Sequence, residues 1–280
     1  MEKNTRDIVR RALAEDIGDG DHSSLAAISP EQQGEMQLIA KEPGIIAGLP
    51  VAKIVLQEVD SNIEMTAFKQ DGDRICRGDI IFILRGSAQK MLSAERTLLN
   101  FLQRMSGIAT STRKYADKIH GTCTRLLDTR KTTPTLRIFE KYAVSVGGGS
   151  NHRFGLYDMI MLKDNHIDFA GGISKAIDRA QNYLKTNNLS LKIEIETRDL
   201  REVEQAVARG GIQRIMLDNF SPEEIIPALT IINGLYETEA SGQITLENIL
   251  DYARTGVNYI SVGALTHHIK SLDMSLKFLI

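Results

Sequence analysis

Residues 128–166 read DTRKTTPTLRIFEKYAVSVGGGSNHRFGLYDMIMLKDNH. Arg130, Lys131, Arg137, Lys141, His152, Arg153, Lys163 and His166 all fall in this one stretch, in a chain of 280 residues whose formal charge is -2. Cations gathered into one segment of a near-neutral protein point to a bound anion. Two apolar runs here end in polar clusters: Leu126-Leu127 before Asp128-Thr129-Arg130-Lys131, and Met159–Leu162 before Lys163-Asp164-Asn165-His166. Apolar strand, reactive polar tip, then helix is the unit from which a (β/α) barrel builds an active site.

Downstream the same unit recurs. Strands are expected at Arg125–Leu127, Asp158–Leu162, Leu191–Ile195, Ile212–Leu217, Tyr236–Ala240 and Tyr259–Val262, with helical patterns between them such as Ile173–Leu184, Leu200–Ala208, Pro222–Leu229 and Leu246–Ala253. A further strand is expected near Ala143–Val146. Tips roughly 20–35 residues apart match one βα unit each. The full eight strands of a regular barrel are not visible. No Gly-x-Gly-x-x-Gly follows a first strand, which disfavours an open dinucleotide-binding sheet. The fold expected is α/β: an incomplete, irregular TIM-like α/β barrel behind an N-terminal α/β sandwich domain.

Upstream, Thr5–Asp16 reads as a short amphipathic helix. IGDGDHSS (17–24) reads as a capped turn, since its spacing does not match an EF-hand. From Gly34 to Gly86, short alternating runs broken by Asp71-Gly72-Asp73 and Arg77-Gly78-Asp79 suggest a small antiparallel sheet. Ala88–Ile119 is strongly helical, with Met91, Leu92, Leu99, Leu102 and Met105 in one stripe and Gly107 expected to break it in two. Arg96, at the edge of that stripe, reads by itself as a surface arginine.

On one rim the strand tips carry Asp128, Arg130 and Lys131; Lys163 to His166; Glu194 and Glu196; Asp218 and Asn219; Glu239, Ser241 and Gly242; and Ser261 and Gly263. The early tips are cationic and suit carboxylates, which arginine binds bidentately. Glu196 and Asp218 suit Mg²⁺, a hard cation that bridges to phosphates. Ser241-Gly242 and Ser261-Val262-Gly263 stand where barrels place a phosphate on backbone N–H groups. Each feature has a plainer reading: Lys163 as a solvated strand end, Gly147-Gly148-Gly149 as a turn, His152 and His166 as caps. Their co-occurrence at successive tips carries the argument.

The totals exclude some classes. A pI near 6.3 lacks the broad basic face of a nucleic-acid binder. Cys76 and Cys123 lack metal-ligand spacing and read as reduced thiols. No run approaches the ~18 apolar residues of a membrane helix, and the N-terminus has no apolar signal core. A cytoplasmic protein is expected, with no nucleic-acid or membrane partner.

DTRKTTP (128–134), GGGSNHR (147–153), GLYDMIMLKDNHI (155–167), the EIE of Glu194–Glu196 and MLDNF (216–220) resemble the signature segments of the quinolinate phosphoribosyltransferases. LAEDIGDGDHSS (13–24), KEPGIIAG (41–48), AERTLLNFLQRMSGIAT (94–110) and ISVGALTH (260–267) extend the similarity over most of the chain. The resemblance implies transfer of a phosphoribosyl group from phosphoribosyl pyrophosphate to quinolinate, with Mg²⁺ required. The products are nicotinate mononucleotide, pyrophosphate and CO₂. It implies an N-terminal domain over 1–106, joined by a C-terminal helix over 266–280, and a catalytic barrel over 107–265. It implies a homodimer with a shared active site, able to assemble further to a hexamer, in which Arg96 reaches quinolinate from the neighbouring subunit.

By the same similarity Arg130, His152, Arg153 and Lys163 bind quinolinate, and Lys131 lies near the ribosyl pyrophosphate. Glu196 and Asp218 are the catalytic and metal carboxylates, beside Lys163 as a catalytic cation. Ser241, Gly242, Ser261 and Gly263 form the phosphate turns. Two positions depart from the family pattern: Gln243 stands where Ser-Gly-Gly is usual, and Thr135 where glycine follows the DTRKTTP proline. If position 243 needs positive φ, glutamine there costs on the order of 1 kcal/mol.

Overall fold

The computed structural model describes residues 2–279. Its strands, in chain order, are β1 (Gln33–Ala40), β2 (Gly44–Ile45), β3 (Glu64–Ala67), β4 (Arg74–Ile75), β5 (Ile80–Ser87), β6 (Arg125–Leu127), β7 (Ile160–Leu162), β8 (Ile193–Thr197), β9 (Arg214–Asp218), β10 (Glu237–Ser241), β11 (Tyr259–Ser261) and β12 (Met274–Phe278). The chain falls into two compact units: residues 1–113, 133–148 and 268–280, and residues 114–132 and 149–267.

The first unit carries an antiparallel sheet ordered β12-β1-β5-β3 and a separate β2-β4 pair. Met36, Leu38 and Ala40 of β1 alternate onto the buried face, as period two requires. The helix Ala88–Lys118 buries Met91, Leu98, Leu99, Leu102 and Met105. Gly107 does not break it. A Cβ at Gly107 would strike the backbone carbonyl of Lys270, so the glycine serves a close approach of chain. The C-terminal segment is a short helix at Ala264–His267 followed by strand β12, not a continuing helix. Met274 and Leu276 are buried and alternate with Ser275 and Lys277, and β12 pairs antiparallel with β1.

The second unit is a six-stranded sheet, ordered β6-β11-β10-β9-β8-β7, with every pair parallel. All residues of β8 are buried, as befits a strand covered on both faces. Helices such as Ile173–Thr186, Leu200–Arg209 and Pro222–Ile232 follow successive strands. The strand expected near Ala143–Val146 does not form, because those residues lie in the helix Arg137–Val146, whose buried positions recur with helical spacing. What extends the sheet beyond β6 is shorter: Ser150 makes an isolated parallel bridge to Leu127. β7 remains the opposite edge, so the barrel is incomplete. No helix among the described residues is long and apolar enough to cross a membrane.

Candidate active site

The tip of β6 organises the cationic side. Asp128 is fully buried and accepts the backbone N–H of His152 at 2.8 Å. Ser150 and Asp128 exchange backbone bonds along β6: Ser150 donates to Leu126 O at 2.8 Å and Asp128 donates to Ser150 O at 3.1 Å. The stretch 150–153 is thereby held beside the DTRK tip. Arg130 and Lys131 are exposed there.

Arg153 is half-buried. Its guanidinium donates to Met159 O at 3.1 Å, and its Nε is buried with no hydrogen-bond partner. Burial, and next the positive charge of Arg130, hold its pKa below the usual arginine value. Two arginines that disfavour each other are the kind of pair an anion would stabilise. Asp158 holds the turn that follows, accepting the N–H groups of Phe154 at 2.6 Å and Gly155 at 2.9 Å.

His152 has a buried side chain. Its Nδ1 accepts the Arg153 N–H at 2.7 Å; its Nε2 lies 3.0 Å from Glu194 and 3.4 Å from Glu239. Burial opposes charge on this ring and the two carboxylates favour it; because Nδ1 accepts the Arg153 N–H, the proton sits on Nε2, facing the carboxylates. Glu194 and Glu239 are both fully buried. Arg214 reaches them from the start of β9, 2.9 Å from Glu239 and 3.8 Å from Glu194, with its guanidinium 4.1 Å from the Tyr259 ring centroid. Among the described residues His152, Glu194 and Glu239 have the spacing of a three-ligand metal site, but the Arg214 cation already serves these carboxylates.

Lys163 sits at the β7 tip, its Nζ 3.5 Å from Glu196. His166 proves to be a cap: its Nδ1 accepts the Lys163 N–H at 3.0 Å. Glu196 is the penultimate residue of β8, on the same face as Glu194, and Asp218 ends β9. Burial raises both carboxyl groups; Asp218 and Asp164 add to the rise at Glu196, and Asp164 at Asp218, while Lys163 opposes it in each. A pair of hard oxygen donors that resist carrying their charges together fits a divalent cation such as Mg²⁺.

The late tips complete the rim. Asn219, left-handed at φ 58, donates from its backbone to Ser241 O at 2.8 Å. A Cβ on Gly242 would collide with the Asn219 side chain, and one on Gly263 would lie 3.0 Å from Lys131 Cδ. Thr266 Oγ1 donates to Lys131 O at 2.8 Å. Lys131 therefore lies against the Ser261–Gly263 turn. Gln243 has φ 51 and Thr135 φ 68, so both departures from the family pattern occupy left-handed backbone.

The second unit thus holds Arg130, Lys131, Lys163, Glu196, Asp218, Ser241, Gly242, Ser261 and Gly263 at or just beyond its strand ends, with His152 and Arg153 in the stretch held beside the β6 tip. Arg96 is exposed on the helix Ala88–Lys118, in the part that belongs to the first unit. Arg137 and Lys141 also belong to the first unit, so the cationic stretch is divided. Sequence reasoning missed Arg214 and Asp158. Alternating acidic residues in Ile193–Thr197 and Glu237–Ser241 were the available signal for a charged interior needing a cation.

Residues 108–277 match the C-terminal domain of quinolinate phosphoribosyl transferase, and residues 21–106 its N-terminal domain. A quinolinate phosphoribosyltransferase [decarboxylating] 1b of Nicotiana tabacum is 44% identical over 96% of this chain and 81% of its own. A probable nicotinate-nucleotide pyrophosphorylase [carboxylating] of Bacillus subtilis (strain 168) is 44% identical over 96% of this chain and 91% of its own. The crystal structure of NadC from Streptococcus pyogenes superposes with a TM-score of 0.93 at 42% identity, covering 98% of this chain and 96% of that one. Two domain matches spanning most of the chain, and relatives similar over nearly all of it, agree with the rim of cations, paired carboxylates and glycine turns: the chain belongs to the quinolinate phosphoribosyltransferase family.

Proposed function

We propose that this chain transfers the phosphoribosyl group of phosphoribosyl pyrophosphate to quinolinate, with loss of CO₂, giving nicotinate mononucleotide and pyrophosphate in de novo NAD biosynthesis. The observation that carries the substrate is Arg153. Its buried Nε lacks a partner, and it faces the like charge of Arg130. A ligand with carboxylates relieves both penalties at once. Lys163, at the tip of β7, adds a third cation, which suits a dicarboxylate.

In the reaction, the quinolinate ring nitrogen forms a bond to C1 of the ribose as the C1–oxygen bond breaks and pyrophosphate leaves. The bond from the ring to the 2-carboxylate then breaks, CO₂ departs, and the electron pair left on the ring takes a proton. Arg130, Arg153 and Lys163 orient the dicarboxylate. Lys131 lies on the pyrophosphate side, and Ser241, Gly242, Ser261 and Gly263 receive the phosphate. Glu196 and Asp218 would hold Mg²⁺, which supplies charge neutralisation for the departing pyrophosphate. No protein nucleophile is needed, and preorganised charge carries the catalysis. The working unit is a homodimer to which Arg96 of one chain contributes for the other, acting in the cytoplasm; free Cys76 and Cys123 suit that compartment.

The test is release of labelled CO₂ from carboxyl-labelled quinolinate. Release that requires both phosphoribosyl pyrophosphate and Mg²⁺ is expected. Quinolinate binding without CO₂ release would reduce the chain to an anion-binding protein. Borohydride trapping of a substrate on Lys163 or Lys131 would indicate a Schiff-base enzyme instead.

A further inference from the structure

Beneath the carboxylate site lies a charged layer that the proposed reaction does not use. Glu194, Glu239 and Arg214 come from three neighbouring strands, β8, β10 and β9. Glu194 and Arg214 are register partners, and Arg214 is also paired with Glu237 at 3.2 Å. Burying two carboxylates is expensive unless cations and hydrogen bonds compensate them. Arg214 supplies one positive charge between Glu194 and Glu239. The remaining demand falls on His152, whose Nε2 is turned to both.

The ring is thus held from below, and this determines what its other nitrogen does. Nδ1 accepts the backbone N–H of Arg153 at 2.7 Å, and the His152 N–H is itself held by Asp128. Nδ1 is held by a hydrogen bond, and Nε2 lies within ion-pair distance of the two carboxylates without an aligned hydrogen bond to either. These contacts fix the backbone on the N-terminal side of the Arg153 Cα, and the Phe154 N–H held by Asp158 at 2.6 Å fixes the other side, leaving the guanidinium to be aimed by Met159 O. An Arg153 whose backbone could rotate would lose that aim, and a carboxylate site tolerates little displacement.

We infer that Glu194 and Glu239 are positioning residues for the quinolinate site, acting through the His152 imidazole on the backbone of Arg153. The inference rests on the reading of Arg153 as a quinolinate ligand and deepens it. Neither glutamate touches the substrate. Glu194 acts on quinolinate alone, because the phosphoribosyl pyrophosphate turns rest on other contacts, Asn219 to Ser241 and Lys131 against Gly263; Glu239 also neighbours the Ser261 hydroxyl of the phosphate turn.

The experiment uses Glu194→Gln and Glu239→Gln in the full chain, each keeping side-chain shape and losing the charge. Glu194 is two residues from Glu196, and Glu239 two from Ser241. An effect spread along the strands would therefore disturb Mg²⁺ dependence in the first variant and phosphoribosyl pyrophosphate in the second. The expected result is a shared one for quinolinate: its KM rises about tenfold or more in both variants, and in Glu194→Gln the KM for phosphoribosyl pyrophosphate and the Mg²⁺ dependence stay within about twofold of the parent. In a His152→Ala background the glutamate changes add little further, because they act through the same ring. Unchanged quinolinate KM in both variants, or full additivity with His152→Ala, overturns the inference.

Arg153→Ala serves as the control for the site itself. If it too leaves quinolinate KM unchanged, the reading of Arg153 as a ligand falls, and the inference with it. If it raises KM while the glutamate variants do not, only the positioning role falls. Should the variants fail to fold, hydrogen exchange at the Arg153 amide in the unaltered chain decides. Protection is expected, and exchange at the rate of an open loop overturns the inference.

Discussion

The side-chain amide of Asn219 donates to the Asp218 carboxylate at 2.7 Å. The same residue fills the space a side chain at position 242 would need. One asparagine thereby orients the carboxylate proposed to hold Mg²⁺ and sets the clearance of a proposed phosphate turn. Gly242→Ala should raise the KM for phosphoribosyl pyrophosphate about tenfold or more, since Gly242 also has φ 97 and forced backbone strain costs roughly 1–3 kcal/mol. Quinolinate KM should stay near the parent value. Adding Asn219→Ala should recover part of the loss by removing the collision. Steady-state kinetics with each substrate varied separately checks this.

Arg130→Ala and Arg153→Ala should each lower kcat/KM for quinolinate about a hundredfold, corresponding to the loss of a charged hydrogen bond worth up to about 3 kcal/mol. The double variant should fall short of the product of the two effects, because removing one arginine relieves repulsion on the other. Wild-type KM and turnover in both single variants would show that quinolinate binds elsewhere.

Thr135 and Gln243 hold left-handed backbone at φ 68 and φ 51, conformations that glycine adopts without strain and a β-branched residue strongly resists. Thr135→Gly and Gln243→Gly should each change stability by about 1 kcal/mol or less. Relief of strain favours the glycine, and its greater unfolded-chain entropy offsets part of that gain. The larger gain is expected at Thr135. Denaturant unfolding monitored by circular dichroism measures it, and a clear loss at Thr135 would contradict the expected order.

Asp158 accepts two backbone N–H bonds, and although burial opposes it, these and its neighbours hold its pKa below the ordinary aspartate value. A carboxyl group depressed on folding stabilises the fold above its unfolded pKa, roughly 3.9, and loses that contribution as pH falls through the lower folded value. Asp158→Asn should therefore be less stable than the parent at neutral pH. The gap should close as pH drops below about 4. Denaturation curves between pH 3 and 7 check the sign, and quinolinate KM should rise because the turn adjoins Arg153.

Glu140 is fully buried. It accepts Arg104 Nε at 3.0 Å and a second guanidinium nitrogen at 2.6 Å, as well as the N–H of Thr133 at 3.1 Å. Removing the cation strands the carboxylate. Arg104→Ala should cost about 3 kcal/mol, and adding Glu140→Gln should restore part of it. Chemical denaturation of the two variants tests this without reference to activity.

Much of the barrel was legible because each βα unit carries its own signal. A short apolar run ends in polar residues, and a helical period follows. The tip residues Arg130, Lys163, Glu196 and Asp218 could be read for the same reason: a strand's last residues face the mouth wherever the strand stands in the sheet. The helix expected at 266–280 failed because Leu272, Met274 and Leu276 form too short a run to separate period two from period 3.6. Pairing with β1 decided it. Gly107 read as a breaker because a glycine's reason is often a distant piece of backbone, here Lys270.

By itself, then, the sequence determined the α/β class, the succession of strand tips and the inventory of charges, since these depend on local period and residue chemistry. It also carried the motifs that place the chain in its family. Only the tertiary structure decided which charges meet. The register of β8 against β9 sets Glu194 beside Arg214, and the bridge from Ser150 to Leu127 swings His152 over Glu194 and Glu239. Those contacts join residues tens of positions apart, and burial makes them consequential: charges that water would screen at the surface must find each other inside.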